Sequence, residues 1–104
     1  MSNIRTDPED FGLTIAVEAD FNGGYEFDIV ILFRNERGEF FLGKDSGCSC
    51  PTPFEDVMLA DLRPARSVHD VLEFLRSPDY RTASVVDVVD FVGRCEKALA
   101  GDRR

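Results

Sequence analysis

The stretch that decides the fold is YEFDIVILFR, which occupies residues 25–34. Alternate side chains of a β-strand point to opposite faces, so the odd positions of this stretch share one face. They carry Tyr25, Phe27, Ile29, Ile31 and Phe33. A face this rich in aromatic side chains has to be covered by other apolar residues, and the alternation therefore predicts a central strand.

Two more strands are predicted, one on each side of this stretch in the chain. The apolar run at residues 13–18 ends at DFNGG, whose glycines can adopt the positive φ of a tight turn. After the central strand, NERG at residues 35–38 places Gly38 at the left-handed position of a bulged hairpin. Residues 39–44 then return as a strand. The first half of the chain thus predicts a three-stranded antiparallel meander.

The second half of the chain changes to helical periodicity. Ser67 followed by Asp70 resembles a capping box, and the apolar residues after it recur at helical spacing until residues 77–78. Ser84 with Asp87 repeats this start signal, and a second helix is predicted to end at Gly101. The valines at residues 85–89 also favour a strand, but the two cap signals favour helices.

Together these elements predict an α+β fold in which a three-stranded antiparallel meander is followed by a Cys/Pro loop and two α-helices packed on one sheet face. The helices are expected to cover the aromatic face of the central strand. With 104 residues, the chain has room for one domain. Its predicted bounds are a flexible lead-in at 1–12, the domain at 13–100 and a tail at 101–104.

The charge of the chain narrows its possible partners. Twelve basic and 20 acidic residues give a net charge of -8, which disfavours direct binding to nucleic acid or to an anionic membrane. The sequence shows neither a signal peptide nor a transmembrane segment, and its three cysteines are an odd number. These features predict a cytoplasmic protein with reduced thiols.

The least generic stretch is DSGCSCPTPFED at residues 45–56. Its candidate recognition or structural residues are Asp45, Gly47, Cys48, Cys50, Pro51, Pro53, Phe54 and Glu55. In one interpretation the loop is a rigid recognition element, with an aromatic anchor inside a charged rim. In the other it is a structural plug that ties the sheet to the helices, with buried thiols and a carboxylate that binds turn amides.

Two chemical interpretations of the same loop depend on its cysteines. Cys48 and Cys50 could join His69 and Cys95 in a zinc site, although their spacing is not that of a zinc knuckle and Cys95 lies on the apolar stripe of its helix. A reactive thiolate is disfavoured, because neighbouring carboxylates raise the pKa of a thiol. No catalytic residue is assigned, and no cofactor is expected apart from zinc as the alternative.

The order of YEFD, a hairpin and then DSGCSCPTPFED resembles small uncharacterised proteins of actinobacteria and their bacteriophages. The resemblance covers residues 25–56, and its specific part is the Gly-Cys-Ser-Cys-Pro-x-Pro-Phe motif. It implies a phage or prophage setting and a life in the host cytoplasm. It implies no activity.

The predicted function is therefore that of a small acidic non-enzymatic accessory protein that binds a host or phage protein. An acidic rim for a basic partner surface is predicted from Asp20, Glu26, Asp28, Glu36 and Glu39. The alternatives are a zinc-binding or cysteine-dependent protein that uses Cys48 and Cys50, and an inhibitor that mimics DNA. The sequence leaves the oligomeric state open.

Overall fold

The computed structural model describes residues 3–21, 26–48, 53–76 and 85–101. Its strands are β1 (Leu13–Asp20), β2 (Glu26–Asn35), β3 (Phe40–Cys48) and β4 (Arg63–Pro64). Its α-helices are α1 (Val68–Leu75) and α2 (Val85–Gly101), and short 3-10 turns occur at Pro8–Phe11 and Leu59–Asp61. The predicted α+β class is confirmed.

The strands form one antiparallel sheet in the order β1-β2-β3-β4. The predicted three-stranded meander is corrected to four strands, because β4 pairs Pro64 with Phe41 and Arg63 with Leu42. A two-residue strand that contains a proline has no alternating pattern, so the sequence gives no signal for it. The hairpin between β2 and β3 follows the prediction, and Gly38 has a φ of 83°.

Both faces of the sheet are covered, which differs from the prediction. The helices α1 and α2 pack on the face that carries Val30, Leu32 and Leu42. The aromatic face of β2 packs instead against residues from the N-terminal segment and from the chain between β3 and β4. That second cluster contains Ile4, Leu13, Phe27, Ile29, Ile31, Phe33, Phe54 and Leu62. The prediction that the helices cover the aromatic face is therefore wrong.

The helices begin close to the predicted positions. Ser67 is the N-cap of α1 in extended conformation, but its side chain makes no capping hydrogen bond. Asp70 Oδ2 instead accepts a hydrogen bond from the Arg66 N–H at 2.9 Å. Residues 85–89 are helical, so the alternative of a strand there is wrong. Ser84 lies outside the described residues, and Gly101 is the last residue of α2.

The segment before β1 contributes to the core. Ile4 is buried in the cluster on the aromatic face, and Phe11 packs against the edge of that cluster. The predicted domain bounds, with a flexible lead-in at 1–12 and a tail at 101–104, stay predictions. None of the helices in the described part of the chain is long and apolar enough to cross a membrane.

Candidate functional site

The loop singled out by the sequence begins later than predicted. Asp45, Gly47 and Cys48 belong to β3 and pair with residues of β2. Residues 49–52, which include the candidates Cys50 and Pro51, lie outside the described residues. The chain is described again from Pro53 onward, where it crosses the aromatic face of the sheet.

Asp45 anchors the returning chain to β3. Its Oδ2 accepts a hydrogen bond from the Phe54 N–H at 2.7 Å, and its Oδ1 accepts one from the Ser46 N–H at 3.0 Å. A hydrogen bond to a carboxylate is shorter and stronger than one between neutral groups. Asp45 therefore fixes the point at which the loop returns over the sheet.

Phe54 holds the loop on the sheet in a strained backbone conformation. It has a φ of 68°, which costs a non-glycine residue on the order of 1 to 2 kcal/mol. Its side chain is 0% exposed and packs edge-on against Phe33 with ring centroids 6.4 Å apart. Burial of the ring and the hydrogen bond that the Phe54 N–H donates to Asp45 together offset this strain. With its ring buried, Phe54 does not serve as an exposed anchor.

Gly43 of β3 makes room for this packing. A Cβ added at Gly43 would lie 2.7 Å from Leu62 Cδ2 and 3.2 Å from Phe33 Cε2. Such a short approach to buried side chains forces them to shift. The absence of a side chain at this position lets the chain between Pro53 and Leu62 lie directly on β3.

The N-terminal segment lies beside this loop and binds to it. Asn3 Nδ2 donates a hydrogen bond to the Pro53 carbonyl oxygen at 3.0 Å. Arg5 Nη2 forms an ion pair with Glu18 Oε2 at 3.0 Å, which ties the segment to β1. We call residues 3–12 and 53–62 together the cover layer, since both segments pack on the aromatic face of the sheet.

The outer surface of the cover layer exposes two large apolar side chains. Met58 is 61% exposed and Leu59 is 50% exposed. The turn that presents them is closed by Asp61, whose Oδ2 accepts a hydrogen bond from the Met58 N–H at 2.9 Å. The two side chains are therefore displayed from a hydrogen-bonded turn whose following residue, Leu62, is buried.

The cover layer is also strongly acidic. It contains six acidic residues and one basic residue, so it carries -5 of the net charge of -8. The acidic residues are Asp7, Glu9, Asp10, Glu55, Asp56 and Asp61. The basic residue, Arg5, is already paired with Glu18. Glu55 and Asp56 are exposed and make no hydrogen bond or ion pair with another described residue.

Sequence reasoning missed Met58 and Leu59. The available signal was the run VMLA at residues 57–60, four apolar residues in a segment with neither strand nor helix periodicity. Such a run is either buried or functional, and only the fold shows that its middle two residues face outward. Glu55, by contrast, was among the predicted loop residues.

The predicted acidic rim is not one surface. Asp20 and Asp28 lie near the end of the sheet where β1 meets β2, whereas Glu36 and Glu39 lie beyond the opposite end of β2, about 25 Å away at the rise of a β-strand. Asp28 is buried, and its N–H donates to Asp20 Oδ1 at 3.1 Å. Of Glu26, only the backbone position in β2 is described.

The predicted zinc ligands are dispersed as far as the structure describes them. His69 is an exposed residue of α1, and its Nε2 lies 3.8 Å from Glu73 Oε1. Cys95 is buried in the cluster under the helices. Within residues 3–21, 26–48, 53–76 and 85–101, no group of three potential metal ligands is found. Zinc binding that uses Cys50 involves a residue outside this range and stays a prediction.

The surroundings of Cys95 favour its neutral thiol. Burial raises the pKa of Cys95 from 9.0 to about 12, and the positive charge of Arg94 acts weakly in the opposite direction. The fraction of thiolate at neutral pH is accordingly very small, and a thiol of this kind is chemically inert. Cys95 therefore contributes as a small apolar side chain of the core.

Raising the pH above 9 is expected to destabilise the fold in part through Cys95. The unfolded chain loses the thiol proton near its ordinary pKa of 9.0, whereas the folded chain keeps it up to a pKa of about 12. Between these values the free energy of unfolding falls by about 1.4 kcal/mol per pH unit from this group. Urea unfolding at several pH values should give a shallower decline for Cys95→Ala than for wild type. Equal slopes would contradict this assignment.

An open cavity of about 460 Å³ lies where β3 and β4 meet the end of α2. Its floor includes Phe40, Ala65 and Leu99, and its rim includes Glu39 and Arg66. The carboxylate of Glu39 accepts a hydrogen bond from Asn35 Nδ2 at 2.9 Å. The described residues that line the cavity include one acidic and one basic side chain, and neither a nucleophile nor a histidine is among them. The cavity thus offers shape rather than reactive groups.

The fold and the site define a small α+β domain whose sheet is covered by helices on one face and by an acidic layer on the other. A family model described as a domain of unknown function (DUF7574) matches residues 2–102, and the chain belongs to this family. Comparison with curated proteins and with solved structures found no match. The resemblance to an uncharacterised family is confirmed at this level, while the actinobacterial setting and the specific motif stay predictions.

Proposed function

We propose that this domain is a non-enzymatic accessory protein that binds another protein through the outer surface of its cover layer. The partner presents an apolar pocket surrounded by basic side chains. The phage or prophage setting, the host cytoplasm and the host or phage origin of the partner belong to the same proposal. The observation that carries it is the exposure of Met58 and Leu59 within a layer of charge -5.

The apolar part of this surface supports a binding role. Large apolar side chains that protrude from an otherwise charged surface are typical of interaction sites, and methionine adapts its shape to its partner. Met58 and Leu59 are adjacent and protrude from a turn held by Asp61. A turn of fixed shape loses little conformational entropy when it binds.

The charged part of this surface supports the choice of partner. Glu55 and Asp56 precede the apolar pair in the sequence, separated from it by Val57, and their side chains make no hydrogen bond or ion pair with another described residue. Carboxylates of this kind attract a basic surface and increase the rate of association. A partner with basic side chains around an apolar pocket matches both properties.

Selection from a display library of random peptides tests this proposal without a known partner. We expect the purified chain to enrich peptides that combine aliphatic or aromatic residues with Arg and Lys. Replacing both anchors, in Met58→Ser/Leu59→Ser, should weaken binding of the selected peptides by at least about tenfold, because truncated anchor residues cost more than about 1 kcal/mol each. The affinity should also fall as salt is added.

The matched control is Val86→Ser/Val89→Ser, which changes two exposed apolar residues on α2, on the other side of the sheet. It should leave peptide binding unchanged. Equal binding by wild type and by the Met58/Leu59 variant would contradict the proposal, as would selection of acidic peptides. Mimicry of DNA stays a separate prediction, for which the test is competition with DNA for the partner's site.

A further inference from the structure

A second exposed apolar surface lies on α2, on the side of the sheet opposite the cover layer. Val86 is 75% exposed and Val89 is 64% exposed. With Gly93 and Ala100 they are spaced three, four and seven residues apart, which places them in one stripe along a helix, and the turn between Gly93 and Ala100 carries the charged residues Glu96 and Lys97. The stripe lies about 150° around the helix from the buried side chains, at 3.6 residues per turn. A solvated helix face normally carries polar residues at these positions.

The stripe has the shape that a second helix requires. A Cβ added at Gly93 would meet no atom within 4 Å, so the backbone is open to the outside there. Ala100 is exposed as well, and small residues let two helices approach closely. Beside the stripe, Leu72 of α1 is 44% exposed and borders a groove of about 260 Å³ that also contacts Val89 and Gly93.

The charges that flank the stripe are complementary to those of the same stripe in another copy. At 3.6 residues per turn, Glu96 lies about 50° to one side of the stripe and Lys97 about 50° to the other. When two copies pack with parallel helices, Lys97 of each copy faces Glu96 of the other. When they pack antiparallel, Lys97 faces Asp90, which forms an ion pair with Arg94 at 3.3 Å in the single chain. Opposite charges meet in both arrangements.

We propose that two copies of this chain associate through the outer stripe of α2, formed by Val86, Val89, Gly93 and Ala100. The second copy supplies the apolar side chains that cover the stripe and the charges that match its flanks. The interface uses a different side of the molecule from the proposed partner-binding surface. The two proposals can therefore be tested independently of each other.

Sedimentation equilibrium over a concentration series tests the interface on the full chain. Wild type should approach twice the monomer mass as its concentration rises. Val89→Asp should weaken association at least tenfold, because it places a carboxylate in the centre of the stripe. Leu59→Asp is the matched control, since it makes the same kind of change at an exposed site on the cover layer and should leave the dimer unchanged.

A charge reversal provides a second, independent variant. Lys97→Glu should weaken the dimer, and adding either Glu96→Lys or Asp90→Lys should restore it, according to the direction of the helices. All these positions are exposed, so circular dichroism should show the same folded state in every variant. A monomer mass at all concentrations, or a dimer that is insensitive to both Val89→Asp and Lys97→Glu, would overturn the proposal.

Discussion

Phe54→Ala is expected to lower the free energy of unfolding by about 3 to 5 kcal/mol, the range for removal of a fully buried phenyl ring. The ring is 0% exposed, packs against Phe33 and lies over Gly43, where an added Cβ would be 3.5 Å from Phe54 Cε2. Alanine at this position still has to adopt a positive φ, so the change removes the packing without relieving the strain. Urea unfolding followed by circular dichroism measures the loss.

The control for this variant is Phe11→Ala, because Phe11 is a half-buried residue at the edge of the same cluster. The chemical change is identical, but Phe11 buries less apolar surface than Phe54. We therefore expect Phe11→Ala to lower the free energy of unfolding by less than half as much as Phe54→Ala. A loss below about 1 kcal/mol for Phe54→Ala would contradict the assignment of Phe54 as the residue that holds the cover layer, since exposed sites give values of this size.

Phe91→Ala should have an effect of similar size on the other face of the sheet. Phe91 is a fully buried residue of α2 whose ring meets that of Phe21 edge-on, with centroids 5.9 Å apart. Its removal leaves a cavity between α2 and the sheet, and the expected loss is about 3 to 5 kcal/mol. Thermal and urea unfolding should both report it.

Phe74→Ala is the corresponding control on the helical side. Phe74 is half-buried, and Lys44 Nζ lies 5.8 Å from the centre of its ring. Removal of the Phe74 ring loses some apolar contacts and one cation–π contact. The expected decrease in the free energy of unfolding is therefore smaller than for Phe91→Ala. If Phe91→Ala were no more destabilising than Phe74→Ala, the helix α2 would not be packed on the sheet as described.

The two large effects follow from a sheet with two covered faces, which the sequence predicted only in part. Alternation along β2 correctly placed Phe27 and Phe33 on one buried face. It did not show which segment covers that face, because Val30 and Leu32 on the other face are also apolar. Because both faces of β2 are apolar, the pattern indicates a buried strand but does not show which segment of the chain packs on each face.

The cover layer could not be predicted from the sequence, because no local pattern marks its residues as buried. Ile4 is a single apolar residue among polar neighbours, so no periodicity marks it as buried. Asp45 and Phe54 were both singled out, but their contact joins residues nine positions apart across a loop. The positive φ of Phe54 is favoured by no property of phenylalanine and depends on this tertiary contact.

The candidate site, like the fold, was predicted from the sequence only in part. Composition revealed that the chain is acidic, and the loop at 45–56 was recognised as unusual. The rim predicted from β2 and its hairpins proved to lie at opposite ends of a strand, because spacing along a strand was not converted into distance. The acidic surface of the cover layer depends instead on two segments about fifty residues apart, joined by Asn3 and Pro53.

Chemical-shift mapping tests the central claim, that the cover layer is the binding surface. A peptide from the display selection is titrated into the ¹⁵N-labelled full chain. The largest amide shifts are expected at residues 55–61, and Met58→Ser/Leu59→Ser should abolish them. Large shifts confined to α2, or to the cavity bordered by Glu39 and Arg66, would contradict it.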